Sequence, residues 1–478
     1  MSKPLGAQLV LADASQGVIC GVSSKLAPGN SVSHALNMVF DENIGEATVR
    51  PGTSRIGSGA VSGTSSVTGL FQFVDSDGGA NSKLIASTTD GNTKTLEGST
   101  WTASHSDTAG LKNRFATFLD TCVKVNGTDA CAGFNGTSWV TTGGALDLGN
   151  MPRGKFVTVY KDQVIVAGVS GRPDDFDISS VPNTAGTSIS WTSGNRRIRV
   201  NPDDGGNITG FGQIGGLLIV FKDDGMFRWN NRATEPDRII DVGCSSQESV
   251  ASGGSQLFFF NPKGVWTTMG EYPVLISRRV QAYIDGMSAS FYDDVSGYCD
   301  GRFYHCFIGD STVNGRTYSN VELRYTLSTK EWAVYSRNKS LTVMARYKLS
   351  GGDFIVAGST VSDVMKLEDT TALTDIGSAA ISYELETHDL EFGSRARVKE
   401  IPSSIFVFGH DLVDAKLLVQ SDGGDFRELG TANKDVNEMP VRDTIRGHYL
   451  RFRLSGVSTT ARARFQGIEI PMISISDY

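Results

Sequence analysis

No stretch of this chain approaches the ~18 consecutive apolar residues that a membrane-spanning helix needs. The leading residues, Met1-Ser2-Lys3-Pro4-Leu5-Gly6, carry one lysine and no apolar run of signal-peptide length, so the expectation is synthesis and retention in a cytoplasm. Proline is scarce, 13 of 478 residues, which leaves few stiff linkers. No window keeps a 3.6-residue apolar period, so helices should be few and short. Positive charge is not in excess: 44 Lys and Arg against 52 Asp and Glu give a formal charge of −8. A protein that grips phosphates is usually basic. An acidic one can surround a nucleic acid without holding it.

Catalytic signatures are missing too. There is no Gly-x-Ser-x-Gly, His-Glu-x-x-His, phosphate loop or Cys-x-x-Cys. The six histidines (His34, His105, His305, His388, His410 and His448) show no ligand spacing. Six cysteines form no tetrahedral pattern: Cys122 and Cys131 flank a turn at Asn126-Gly127, and Cys299 and Cys306 flank Asp300-Gly301, with only His305 near the second pair. Reduced thiols packed as small apolar groups are the expectation. Asn126, Asn135 and Asn207 begin glycosylation-like triplets, which mean nothing without secretion.

What the chain does have is glycine, 55 residues, and a regular series of tryptophans. Trp101, Trp139, Trp191, Trp229, Trp266 and Trp332 follow one another at gaps of 38, 52, 38, 37 and 66 residues. Several close a glycine-turn phrase, such as Glu97-Gly98-Ser99-Thr100-Trp101, Asn135-Gly136-Thr137-Ser138-Trp139 and Lys263-Gly264-Val265-Trp266. A second phrase, Ile165-Val166-Ala167-Gly168, returns as Ile355-Val356-Ala357-Gly358 and more loosely as Leu218-Ile219-Val220-Phe221. Self-similarity at ~40–50 residues, built from short strands and turns, is the signature of a β-propeller. Between residues 65 and 375 that period leaves room for six or seven blades, and the tryptophan count favours six. The tryptophans are expected to pack between neighbouring sheets.

The two ends differ from the middle. Residues 1–65 read as an N-terminal arm and linker, with the apolar run Ala35–Phe40, then Val49-Arg50-Pro51-Gly52-Thr53, then a Gly/Ser-rich stretch from Gly57 to Gly69. Residues 66–377 read as the propeller. Residues 378–478 alternate apolar and polar, as in Ile381–Glu386 and Tyr449–Leu454, and read as an antiparallel β-sandwich. On this division, deleting 378–478 should leave a folded propeller. Arginines and lysines gather in the sandwich (Arg395, Arg397, Lys399, Arg442, Arg446, Arg451, Arg453, Arg462 and Arg464), offset by Asp389, Glu391, Asp422, Asp425 and Asp443. A solvated face and a docking surface for another subunit are both open.

Three patterns invite a chemical reading. His388-Asp389 are neighbours, but adjacent strand residues face opposite sides. Ser421-Asp422-Gly423-Gly424-Asp425-Phe426 is similar to the turn of sialidase propellers, with altered spacing and no trailing tryptophan. Asp174, Asp175, Asp203 and Asp204 are paired acids in turns, where Asp bonds its own backbone; a glycosidase needs two carboxylates converging on one bond. No catalytic, cofactor-binding or metal residue is therefore assigned.

Several passages, in order, resemble one family. They are Leu36-Asn37-Met38-Val39-Phe40-Asp41 with Val49-Arg50-Pro51-Gly52-Thr53; Tyr160–Gly168 with Arg172-Pro173-Asp174, Ile189-Ser190-Trp191 and Val200–Gly205; Asn207–Gly210 with Gly216–Lys222; and Val242–Ser246 leading to Gly264-Val265-Trp266. The family is the packaged-DNA stabilisation, or tail nozzle, protein of short-tailed bacteriophages. The resemblance implies a virion protein of the tail, assembled in the host cytoplasm. It implies a homohexameric ring of propellers below the portal and adaptor rings, retaining packaged DNA and forming part of the DNA ejection conduit. Implied partners are the adaptor, a tail needle, plug or spikes, and double-stranded DNA passing through without specific binding. The alternative is a receptor- or carbohydrate-binding propeller on the virion surface, and a propeller hydrolase is a third reading.

Overall fold

A computed structural model of the chain describes residues 3–5, 8–10, 14–23, 26–42, 45–76, 82–202, 205–231, 234–349 and 352–476; Asp203 and Asp204 lie outside the described residues. Seven four-stranded antiparallel sheets follow one another along the sequence. Their first strands are Val67–Phe73, Arg114–Phe118, Phe156–Tyr160, Ile208–Ile214, Ala251–Gly253, Ser296–Cys299 and Leu341–Leu349. Each first strand lies against the next, and the last returns to the first, so the sheets close into a ring as the blades of a β-propeller.

The repeated phrases are now explained. Ile165–Gly168, Leu218–Phe221 and Ile355–Gly358 sit in the second strands Gln163–Val169, Leu217–Lys222 and Gly352–Ser359. A second strand is covered on both faces by adjoining blades, which is why it reads as continuous aliphatics instead of alternation. The tryptophans lie on the third or fourth strands or the link between them, and Trp101, Trp191, Trp229 and Trp332 are buried.

Turn chemistry sets the hairpins. First and second strands of four consecutive blades are joined by two residues, both at positive φ: Leu119-Asp120, Lys161-Asp162, Gly215-Gly216 and Gly254-Ser255. Such turns match the twist of paired strands. Leu119 is an unusual residue for the position and hides the turn, so Phe115–Val125 is two strands, Arg114–Phe118 and Thr121–Val125, where the sequence reads as one. Elsewhere side chains make the turn. Asn126 Oδ1 accepts the Thr128 and Asp129 amides at 3.1 and 2.9 Å, and Asp300 Oδ1 accepts those of Arg302 and Phe303 at 2.8 and 2.7 Å.

There are seven blades, one more than the tryptophans number. The seventh carries no tryptophan, and its outer strand, Gly52–Arg55, comes from near the N-terminus and pairs with Val364–Asp369. Strands His34–Leu36, Met38–Val39 and Ala47–Val49 lie in the sandwich. His34–Leu36 pairs with Ile381–Glu386, and Ala47–Val49 joins Arg464–Ile470. The stretch read as an arm thus supplies strands to both bodies. The largest apolar core runs through the boundary as well, uniting Val18 and Val32 with Phe258, Tyr283 and Trp332 of the propeller and Leu385, Ile405 and Phe452 of the sandwich. One helix, Gln281–Asp285, sits between the fifth and sixth blades, and the long hairpin of the sixth, Phe303–Val313 and Arg316–Thr326, reaches up to the sandwich.

Candidate functional site

Among the described residues, the acids singled out in sequence do not converge on a reaction centre. Asp174 and Asp175 lie on strand Arg172–Ile178, where Arg199 stands 3.8 and 3.4 Å from them. These pairs blunt the exposed edge of the third blade with charge. Asp422 Oδ1 accepts the His448 and Tyr449 amides at 2.7 and 3.1 Å, so it ties the turn after strand Ala415–Ser421 to the link before strand Leu450–Ser458. His388 and Asp389 part company: His388 Nε2 is 3.2 Å from Ser31 Oγ, while Asp389 accepts Arg451 at 2.7 Å. All six cysteines are free; burial pushes the Cys131, Cys244 and Cys299 thiols up to about 11. Among the described residues no three metal-ligating side chains cluster.

The propeller's central opening is bridged. Arg114, at the start of the second blade, reaches Glu248, just ahead of the fifth, at 2.8 Å, and Lys112 reaches Asp294, ahead of the sixth, at 2.7 Å. Blades three apart in a ring of seven face each other, so these contacts cross the hole. Burial would raise the Glu248 carboxyl, but Arg114 and then Lys112 hold it below the usual carboxylate range.

The most organised polar assembly is the seam between propeller and sandwich. Arg50 is completely buried and grips Asp375 with two nitrogens, Nη1 to Oδ1 at 2.8 Å and Nη2 to Oδ2 at 2.6 Å. Burial alone would raise Asp375; hydrogen bonding and charge from Arg50 push it below its ordinary value. The neighbours in sequence serve the same joint. Thr53 Oγ1 donates to Asp375 and accepts the Ile376 amide at 2.9 Å. Gly52 runs so close to the chain at 372–374 that a Cβ there would stand 2.1 Å from the Thr374 carbonyl oxygen. Asn37 Oδ1 accepts Arg50 Nε at 2.8 Å and the Ser336 amide at 3.0 Å, while its Nδ2 donates to the Ser382 carbonyl at 2.7 Å. One side chain therefore ties the sixth blade, the seam arginine and the sandwich together.

Beside it lies a charged layer on the sixth blade. Glu322, His305 and Arg337 are buried; Glu322 bonds His305 Nδ1 at 2.6 Å and Arg337 Nε at 2.7 Å. Arg337 also reaches Glu368 at 3.1 Å, and Arg324 pairs with Asp41. Burial would raise Glu322, yet Arg337 and His305 hold it well below the carboxylate range.

Above the seam opens a cleft of about 450 Å³ between the sixth blade's hairpin, the helix and the sandwich. His34 forms part of its wall. Its Nδ1 is 2.5 Å from Tyr283 Oη, while Nε2 lies 3.5 Å from Glu384, too far for an ordinary hydrogen bond, and has no other partner among the described residues. A neutral ring protonated on Nε2 lets Tyr283 donate to Nδ1 and turns an N–H toward Glu384. Burial lowers the His34 pKa, and Glu384 and Glu386 offset this only in part. Nothing in the sequence marked His34: a lone histidine acquires these neighbours from residues about 250 and 350 positions away, through tertiary structure alone.

No protein-family model matches the chain, and no curated protein matches it. Among solved structures it is similar to BamB from Moraxella catarrhalis at 13% identity, covering 63% of this chain and 83% of that one, with a TM-score of 0.38. It is similar to YCF48 from Cyanidioschyzon merolae at 10% identity, over 66% and 98% of the two chains, with a TM-score of 0.43. A third is BBS1N from a complex with ARL6DN, at 11% identity, over 68% and 98%, with a TM-score of 0.41. These likenesses stop at the β-propeller and carry no argument about function. The seven blades rest on the strand pairing itself.

Proposed function

We propose that the chain is a structural virion protein of a short-tailed phage: a ring-forming nozzle component below the portal and adaptor that retains packaged DNA and lines its exit. The observation that carries this reading is where two of the resembling passages fall. Leu36–Asp41 and Val49–Thr53 supply Asn37, Asp41, Arg50, Gly52 and Thr53, the residues that weld propeller to sandwich. A part bearing the load of packed DNA gains from a joint that cannot swivel, and from blades that present few open sheet edges. In this reading the conduit is enclosed by several copies, because the propeller's own hole is crossed by Arg114 and Glu248. The net charge of −8 spares passing DNA from adhesion.

The receptor-binding alternative calls for aromatic side chains on an open face. Among the described residues Tyr272 is the only exposed aromatic, which does not favour it. The deciding experiment is native mass measurement of the purified chain together with its copy number in particles. A closed ring, and a fixed whole-number stoichiometry in tails, is the expected result. A monomer absent from particles would end the proposal.

A further inference from the structure

Four arginines converge on the interdomain cleft: Arg316 at the tip of the sixth blade's hairpin, and Arg395, Arg451 and Arg453 from the sandwich. Their acidic partners lie beneath them. The Glu384 and Asp389 side chains are 8% and 15% exposed, whereas those of Arg316 and Arg395 are 45% and 44% exposed. A solute entering the cleft meets guanidinium edges before it meets carboxylates.

These guanidiniums are held in place. Arg453 stacks 3.7 Å from the Phe426 ring centre, Arg395 4.5 Å from Tyr449 and Arg316 5.0 Å from Tyr318. Stacking fixes the plane of each fork, so less rotamer freedom remains to be lost when an oxyanion binds. Donor capacity is left over as well. Among the described residues Arg316 gives only Nη1 to Glu384, at 2.6 Å, and Arg395 reaches Asp389 and Glu391 at 3.6 and 3.5 Å, beyond ordinary hydrogen bonds. Nε2 of buried His34, without a hydrogen-bond partner among the described residues, lies in the same wall.

We propose that this cleft docks an acidic peptide segment of a partner protein, with carboxylates engaging Arg316 on the propeller and Arg395 on the sandwich. Planar carboxylates match the paired donors of a guanidinium fork. The cleft's volume of about 450 Å³ falls within the usual range for ligand pockets. A long phosphate polymer would be repelled by the chain's overall charge of −8, whereas a short segment feels mainly the local field. The inference stands apart from the assembly reading and would survive its failure.

The test is calorimetric titration of the full chain at low salt with a hexaglutamate peptide, with hexalysine and inorganic phosphate as parallel probes. Hexaglutamate should bind, hexalysine should not, and phosphate should bind more weakly than the peptide. Joint Arg316→Ala and Arg395→Ala replacement should weaken hexaglutamate at least about tenfold, the scale of one lost charged hydrogen bond. Should that variant melt well below the wild type, Arg316→Lys with Arg395→Lys decides the matter, since it keeps charge but removes the fork and should still weaken binding. No binding of hexaglutamate, unchanged affinity in the variants, or phosphate binding as tightly as the peptide would each overturn the proposal.

Discussion

Arg50 and Asp375, 325 residues apart in sequence, form a fully buried two-pronged ion pair at the point where the chain passes from sandwich to seventh blade. Removing one partner of such a pair leaves an uncompensated charge in the interior. Arg50→Ala should therefore cost ~3–5 kcal/mol, and a paired Arg50→Met with Asp375→Leu replacement should cost less than either single change. Denaturant unfolding of the three variants tests this. Additive losses would mean that the two side chains do not depend on each other.

Gly52 has no room for a side chain against Thr374. Gly52→Val should peel the outer strand from the seventh blade, lowering the melting temperature and exposing the 52–55 segment to proteases. Gly301→Ala, at a position with nothing within 4 Å but a φ of +91°, should cost far less, ~1 kcal/mol. Equal effects would show that close approach does not set the requirement at Gly52.

Truncation after residue 377 removes the partner of His34–Leu36 and one of the two partners of Ala47–Val49, and bares the apolar core beneath the sandwich. The separable propeller expected from the sequence should instead appear as an aggregating or protease-sensitive chain on gel filtration. A monodisperse, cooperatively melting 1–377 fragment would contradict the shared core.

Trp332 is fully buried and donates Nε1 to the Ile276 carbonyl at 3.1 Å; Trp139 is only half-buried, at 5.1 Å from Phe134. Trp332→Ala should cost ~3–5 kcal/mol and Trp139→Ala distinctly less. Reversed magnitudes would mean that the Gly-turn-Trp phrase, not burial, governs the contribution.

Acid should loosen the interdomain joint. Burial depresses His34, and depresses His388 together with the Arg451 charge, so both are neutral in the folded chain where an unfolded histidine takes a proton. Their contribution to stability is complete above the unfolded value of ~6.5 and declines as pH falls from there toward the lower folded values. His34→Gln should lower stability at pH 7.5 yet flatten its slope between pH 6.5 and 5. An unchanged slope would remove His34 from the explanation. Glu384 and Asp375 are held below their ordinary values and add a further loss at lower pH still.

Periodic features were legible in the sequence because each depends on local rules. Doubly covered second strands read as Ile-Val-Ala-Gly, and turns read as Asn-Gly or Asp-Gly. The blade count was legible only as six or seven, and the tryptophans favoured six, since the seventh blade lacks tryptophan and borrows its outer strand from residues 52–55. Arg50 looked like part of a linker; only the fold brings Asp375 to it. The cleft arginines were visible as a basic cluster, but their stacking on Phe426, Tyr449 and Tyr318, and the arrival of Arg316 from another domain, are products of packing.

Strand Gly52–Arg55 also sets a timetable. It leaves the ribosome more than 300 residues ahead of Val364–Asp369, its only ladder partner among the described residues. At ~5–20 residues per second, the early segment waits roughly 15–60 seconds with its hydrogen-bonding groups open to water, chaperones or another nascent chain. The toroid cannot latch until Val364–Asp369 has emerged, so neighbouring chains on one messenger have that interval in which to exchange the strand.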